Sequence, residues 1–129
     1  MTMTIALNHT IVWCRDQQAS AHFLAELFGL ADPVRYGPFL VVQMANDVSL
    51  DYHEIDGDIP PQHYAFLVGE DDFDAIFGRI VERELDHWAD PMKDRARVIN
   101  QNDGGRGVYF DDPDGHLLEI ITRPYGSGD

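Results

Sequence analysis

The sequence predicts an α+β fold made of two βαβββ modules, and three observations carry that expectation. An offset of 54 residues lays His9 on His63, Asp16 on Glu70, Ala21 on Ala75 and Phe23 on Phe77, so a strand, a helix start and a helix face recur together. A second offset of 68 lays Leu50-Asp51 on Leu118-Glu119, an apolar residue followed by a carboxylate near the end of each half. Between the halves, IDGDIPPQ (residues 55–62) combines two prolines, a glycine and two aspartates, which suits a linker better than a regular element. The 129 residues are the right length for one domain, here composed of modules at about 5–54 and 62–124.

The first element is a strand over residues 5–14, rich in β-branched and aromatic residues. A helix follows, with Asp16 as its N-cap, Ala19, Phe23, Leu24, Leu27 and Phe28 as its apolar stripe, and Gly29 as its stop. Three short strands come next, over 34–36, 39–44 and 48–53, and their tight connections at Gly37-Pro38 and Ala45-Asn46-Asp47 favour antiparallel pairing. The second module starts with a strand over 63–68. Its helix opens on Glu70, Asp71 and Asp72, charges that suit the positive end of the helix dipole, and buries Phe73, Ile76, Phe77, Ile80 and Val81. Residues 87–102 read as a polar, loop-rich excursion with one short strand near Trp88. Strands over 105–111 and 117–122 then flank the turn sequence DDPDGH, and the tail RPYGSGD carries no strong signal.

Composition removes several function classes. Nine basic against 23 acidic residues give a net charge of −14, a field that repels phosphate backbones and anionic lipid, so neither nucleic acid nor membrane is an expected partner. No apolar run approaches the roughly 18 residues that a membrane span needs. MTMTIALNHT lacks the pattern of a signal peptide and the lone Cys14 has no partner for an internal disulfide, so the chain reads as cytoplasmic.

The chemistry lies in the repeated polar positions. An imidazole or carboxylate inside a sheet must find a partner or bear a desolvation cost, and two imidazoles with one carboxylate form a facial ligand set that leaves coordination positions open. His9, His63 and Glu119 are the candidate ligands. Asp51 is the fourth by the repeat, as a ligand or as a base facing the substrate. Such a set holds Zn, Ni, Co, Mn or Fe(II). Among the remaining residues, His116 reads as a strand-start residue at the rim, His22 as solvent-facing and Cys14 as buried and inert. His53 shares a strand face with Asp51 and is a candidate rim base. Tyr125 and the Gly-Ser-Gly tail are either a lid or unstructured, the second being the ordinary fate of a terminus.

LNHTIVW (residues 7–13), QHYAFLV (62–68) and VYFDDPDGHLLEIITRP (108–124) together resemble the vicinal oxygen chelate superfamily, also called glyoxalase/bleomycin resistance/dioxygenase proteins. The last segment is the most specific, with an aromatic strand, a DPDG turn and a carboxylate four residues beyond the glycine. The resemblance implies a cupped, barrel-like mixed sheet with the helices outside. It places His9, His63 and Glu119 on metal-binding strands and Asp51 where glyoxalase I-like proteins carry an additional carboxylate. It also implies a homodimer, often with each site built from strands of both subunits, and a small-molecule substrate whose adjacent oxygens chelate the ion. Within the superfamily, LNH with HYAF is similar to the fosfomycin-modifying thiol transferases, and Tyr109 fits the acid of an extradiol-type dioxygenase. The expected function is therefore a divalent-metal-dependent enzyme that stabilises an oxyanion, with Glu119, Asp51 and Tyr109 as catalytic groups and lyase/isomerase chemistry favoured. The alternatives are a dioxygenase and a metal-free small-molecule or antibiotic-binding (resistance) protein. No organic cofactor site is expected.

Overall fold

The computed structural model describes residues 3–128; Met1 and Thr2 of the N-terminal stretch and Asp129 of the tail lie outside the described residues. The chain divides into two compact units between Ile59 and Pro60, inside the expected linker. The first unit runs β1 (His9–Cys14), α1 (Gln17–Phe28), β2 (Val34–Tyr36), β3 (Phe39–Gln43) and β4 (Ser49–Glu54). The second runs β5 (His63–Leu67), α2 (Glu70–Glu82), β6 (His87–Trp88), β7 (Gly107–Asp111) and β8 (Leu117–Ile121). Both are βαβββ modules. Among the described residues no helix is long and apolar enough to cross a membrane.

Each unit carries its own mixed four-stranded sheet, ordered β1-β4-β3-β2 in the first and β5-β8-β7-β6 in the second, and neither closes into a barrel. The repeat extends to the register. β1 pairs parallel with β4 so that His9 lies opposite Ser49 and Ile11 opposite Asp51. β5 pairs parallel with β8 so that His63 lies opposite Leu117 and Ala65 opposite Glu119. In both units the histidine opens the first strand and the carboxylate sits two residues past its partner on the neighbouring strand. Because strand side chains alternate between faces, histidine and carboxylate emerge diagonally on the same face.

The other face is core. Val12 and Cys14 of β1, Leu50 and Tyr52 of β4 and Leu40 and Val42 of β3 are buried, with Ala21, Leu24, Ala25 and Leu27 of α1. Asp16 caps α1 by accepting from the Ala19 N–H at 3.1 Å, and Gly29 ends it in the left-handed conformation. The buried face of α1 is rotated from the expected stripe: Ala19 is exposed, Phe23 and Phe28 are half-buried, and Gln17 and Ser20 are buried instead. Gln17 is tolerated there because its amide donates to the Tyr52 and Pro38 carbonyls and accepts from Arg35. In the second unit α2 buries Phe73, Ile76 and Ile80, while Phe77 is half-buried and Val81 is exposed. Val108, Phe110, Leu118 and Ile120 complete that core.

Two further expectations are corrected. β1 begins at His9, so residues 5–8 are not strand; their apolar Ile5 and Leu7 are exposed, and the sheet partner β4 begins only at Ser49, opposite His9. His116 is not at a rim. It is fully buried, and its Nδ1 accepts the Gln62 N–H at 2.9 Å, tying the start of β8 to the end of the linker. The excursion between β6 and β7 is ordered by two polar side chains. Asp90 accepts from the Asp94 and Arg95 N–H groups, which hold its carboxyl below the usual range. Asn100 donates to the Ala89 carbonyl at 2.8 Å and packs so close to Gly107 that any side chain there would collide with its amide.

Candidate metal centre

His63 and Glu119 are brought into contact. The diagonal register places His63 Nε2 3.2 Å from Glu119 Oε1, and Glu119 is fully buried although it faces away from the apolar core. His63 Nδ1 lies 2.9 Å from the Leu117 carbonyl. A carbonyl only accepts, so Nδ1 carries a hydrogen, and in the neutral ring Nε2 turns its lone pair toward a carboxylate oxygen. Two acceptors therefore flank one imidazole. The arrangement is electrostatically incomplete without a proton or a cation between Nε2 and Oε1, and this fits the donor set to a divalent ion.

His9 and Asp51 are brought to one cavity in the first unit. The cavity is open, about 550 Å³ in volume, and its lining includes Asn8, His9, Arg35, Phe39, Gln43 and Asp51. His9 Nδ1 lies 2.7 Å from the Asn8 side-chain oxygen, which selects the same tautomer as in His63 and leaves Nε2 as the free donor atom. Asp51 is buried and accepts the Ser49 hydroxyl at 2.8 Å. Each unit thus presents one oriented imidazole and one buried carboxylate on equivalent strands. Among the described residues no three His, Cys, Asp or Glu side chains gather into one group.

Tyr109 lies opposite Glu119 in the β7–β8 register, with its ring stacked at 6.0 Å on His63. Its phenol is pushed above its ordinary value, first by burial. A residue weighed above only as part of a lid belongs here as well. The Tyr125 hydroxyl donates to Glu119, 2.5 Å from Oε1 and 2.7 Å from Oε2, and lies 3.3 Å from the Tyr109 hydroxyl. Loss of water around the hydroxyl, followed by the bond to Glu119, pushes its phenol far above the usual range. Its only sequence signal was its place six residues beyond Glu119, in a turn-forming Pro-Tyr-Gly. Asn8 and Ser49 were also missed; each is legible only as a neighbour of a candidate ligand, one residue before His9 and two before Asp51.

The other histidines are accounted for locally. His53 packs edge-on between Trp13 and Phe39 while its Nδ1 bonds the Glu54 carbonyl. His22 is half-buried and bonds the Gln18 carbonyl within α1, and His87 is buried against Phe77. Cys14 is buried, with its thiol toward the His53 carbonyl.

Comparison with known proteins agrees with this fold. Residues 6–120 match the family model described as the Glyoxalase/Bleomycin resistance protein/Dioxygenase superfamily. The solved structure of oxidase ChaP-H2 is 62% identical, covers 98% of this chain and 100% of that one, and superposes with a TM-score of 0.95. Oxidase ChaP-H1 is 64% identical over 95% of this chain and 99% of its own, with a TM-score of 0.94. Glutathione transferase FosA of Serratia marcescens is 33% identical over 124 residues, 92% of this chain and 81% of that protein. With its duplicated module and a family match spanning both halves, the chain belongs to the glyoxalase/bleomycin resistance/dioxygenase superfamily, the vicinal oxygen chelate proteins.

Proposed function

We propose that this chain is a divalent-metal-dependent oxidase of a small organic molecule, using dioxygen as oxidant and His9, His63 and Glu119 as the ligands of the ion. The observation that carries the reading is identity of 62–64% across nearly the full chain with two solved oxidases, well above the 33% shared with the thiol transferase. That contrast also moves the reaction class from the lyase/isomerase chemistry expected from sequence toward oxidation. The His63–Glu119 contact and the matched tautomers of His9 and His63 support the ligand assignment. The first unit carries His9 and the second His63 with Glu119, and the site is proposed to be completed in a homodimer.

When bound, the ion supplies Lewis-acid and redox chemistry to adjacent substrate oxygens. The chain's own residues do the rest. His9 and His63 offer Nε2 because Asn8 and the Leu117 carbonyl occupy their Nδ1 hydrogens. Tyr109, protonated at neutral pH, is the group placed to give a proton to a developing oxyanion. Asp51, at the wall of the cavity, is proposed to accept one, and Phe39, on the same sheet face, offers an apolar surface to the substrate.

The test is oxygen uptake by iron(II)-loaded protein against a panel of catechols and hydroquinones. Methylglyoxal–glutathione adduct and fosfomycin with glutathione serve as competing substrates. Iron-dependent oxygen consumption is expected. His63→Ala and Glu119→Ala should abolish both iron retention and turnover, and Tyr109→Phe should keep the iron while slowing turnover by about 10²–10⁴-fold. Turnover of the glutathione adduct or of fosfomycin without oxygen uptake would replace this reading with the lyase or transferase one.

A further inference from the structure

The C-terminal segment after β8 is a built strap, not a loose end. Arg123 donates to the Ser127 carbonyl, Ser127 closes a turn on the Pro124 carbonyl, and the Gly126 N–H donates to the Asp103 carboxylate at 3.1 Å. Gly126 takes a positive φ of 75°, and a side chain at Gly128 would overlap the Asp103 backbone, so glycine is required where the strap turns and where it touches its anchor. Asp103 itself sits at positive φ in the short 3-10 turn Asn102–Gly104. All of this positions one functional atom. The Tyr125 residue is 61% exposed, so its ring adds little to packing, yet its hydroxyl reaches a carboxylate that is fully buried.

We propose that Tyr125 is a positioning residue that restrains Glu119 to one-oxygen donation, holding Oε2 by a hydrogen bond so that Oε1, the oxygen facing His63, is the one given to the metal ion. The inference rests on the metal-site reading above. A hydroxyl has one hydrogen to share between the two oxygens, and a carboxylate oxygen has two lone pairs. Here the hydroxyl lies within reach of both oxygens, 2.5 Å from Oε1 and 2.7 Å from Oε2; when a cation takes Oε1, the hydrogen turns to Oε2 without the ring leaving the strap. Without that bond the carboxylate turns freely and both oxygens compete for the ion, which removes an open coordination position. Hydrogen-bond partners of metal-bound carboxylates have large effects of this kind.

The experiment uses the full-length protein, stripped of metal and reloaded with cobalt(II). Affinity is read by competition with a chromophoric chelator, and coordination by the visible d–d absorption. Tyr125→Phe is expected to weaken cobalt binding by about tenfold or more and to change the d–d spectrum, and the metal-free protein should also melt lower because the buried Glu119 carboxylate loses its hydroxyl donor. Asp103→Ala, which loosens the strap but keeps the hydroxyl, should shift affinity in the same direction by less. A role confined to holding the tail would move the melting temperature and leave the spectrum alone. Unchanged affinity and spectrum in Tyr125→Phe, with cobalt lost in His63→Ala, would overturn this inference and leave the metal site standing. Failure of the wild-type protein to take up cobalt would overturn both.

Discussion

Asp112 shows how a residue chosen for a turn also carries a titration. Its Oδ1 accepts the Asp114 and His116 N–H groups, which close the DPDG turn ahead of β8. Burial pushes its carboxyl above the usual value, reinforced by Asp114 and opposed by those hydrogen bonds and by His116. With a folded pKa above the unfolded one, the native state binds more protons, so this residue's contribution to stability falls as pH rises from about 4 through the raised value. Asp112→Asn keeps the accepting oxygen and removes the titration. The variant should melt at or above the wild-type temperature at neutral pH, and the difference should shrink as pH falls toward about 4, as thermal melts across that range would read. A variant that melts lower at neutral pH would show that the charge itself closes the turn. Sequence alone made the turn legible, because Asp-Pro-Asp-Gly is a local signal. It hid the burial of His116, which depends on a hydrogen bond to Gln62 at the far end of the module.

At the scale of elements the two helices begin differently, and that difference is measurable. α1 has a side-chain cap in Asp16, whereas α2 starts at Gly69, which offers no capping side chain and leaves the start to the charges of Glu70, Asp71 and Asp72. Asp16→Ala should cost about 1 kcal/mol. Gly69→Ser should gain a few tenths of a kcal/mol, since its φ of −70° suits any residue and a new Cβ would meet only the Asp72 carboxylate at ordinary distance. Denaturant melts of both variants read these shifts, and a neutral Asp16→Ala would mean that packing alone sets the start of α1. Both helices were legible because caps, stops and apolar spacing are local. The face of α1 was not, because Gln17 earns its burial from carbonyls on β4 and the loop before β3, contacts with no signature near it in sequence. The antiparallel pairings of β2, β3 and β4 were legible through their tight connections, whereas the parallel pairing of β1 with β4 and of β5 with β8 was not, because it joins strands far apart in sequence. The division into two open sheets, in place of one barrel-like sheet, follows from long-range pairing that no local pattern encodes.

For the whole molecule, duplication is the governing fact. An identical register in the two units delivers one histidine and one carboxylate from each. The parent pattern has diverged at one point: Glu119 reaches His63, whereas the shorter Asp51 is engaged by Ser49. The homodimer proposed above would use each unit's surface twice. If each centre takes His9 from one subunit and His63 with Glu119 from the other, coexpression of His9→Ala with Glu119→Ala chains creates dimers with one intact centre. Neither variant should retain metal alone. Random pairing of the two should restore about a quarter of the wild-type metal content per chain, because half of the dimers are mixed and each mixed dimer has one complete ligand set out of two. Elemental analysis of the copurified protein reads this directly. Recovery at the level of the separate variants would instead place all three ligands of each centre within one chain, and the dimer would then lose its role in completing the site.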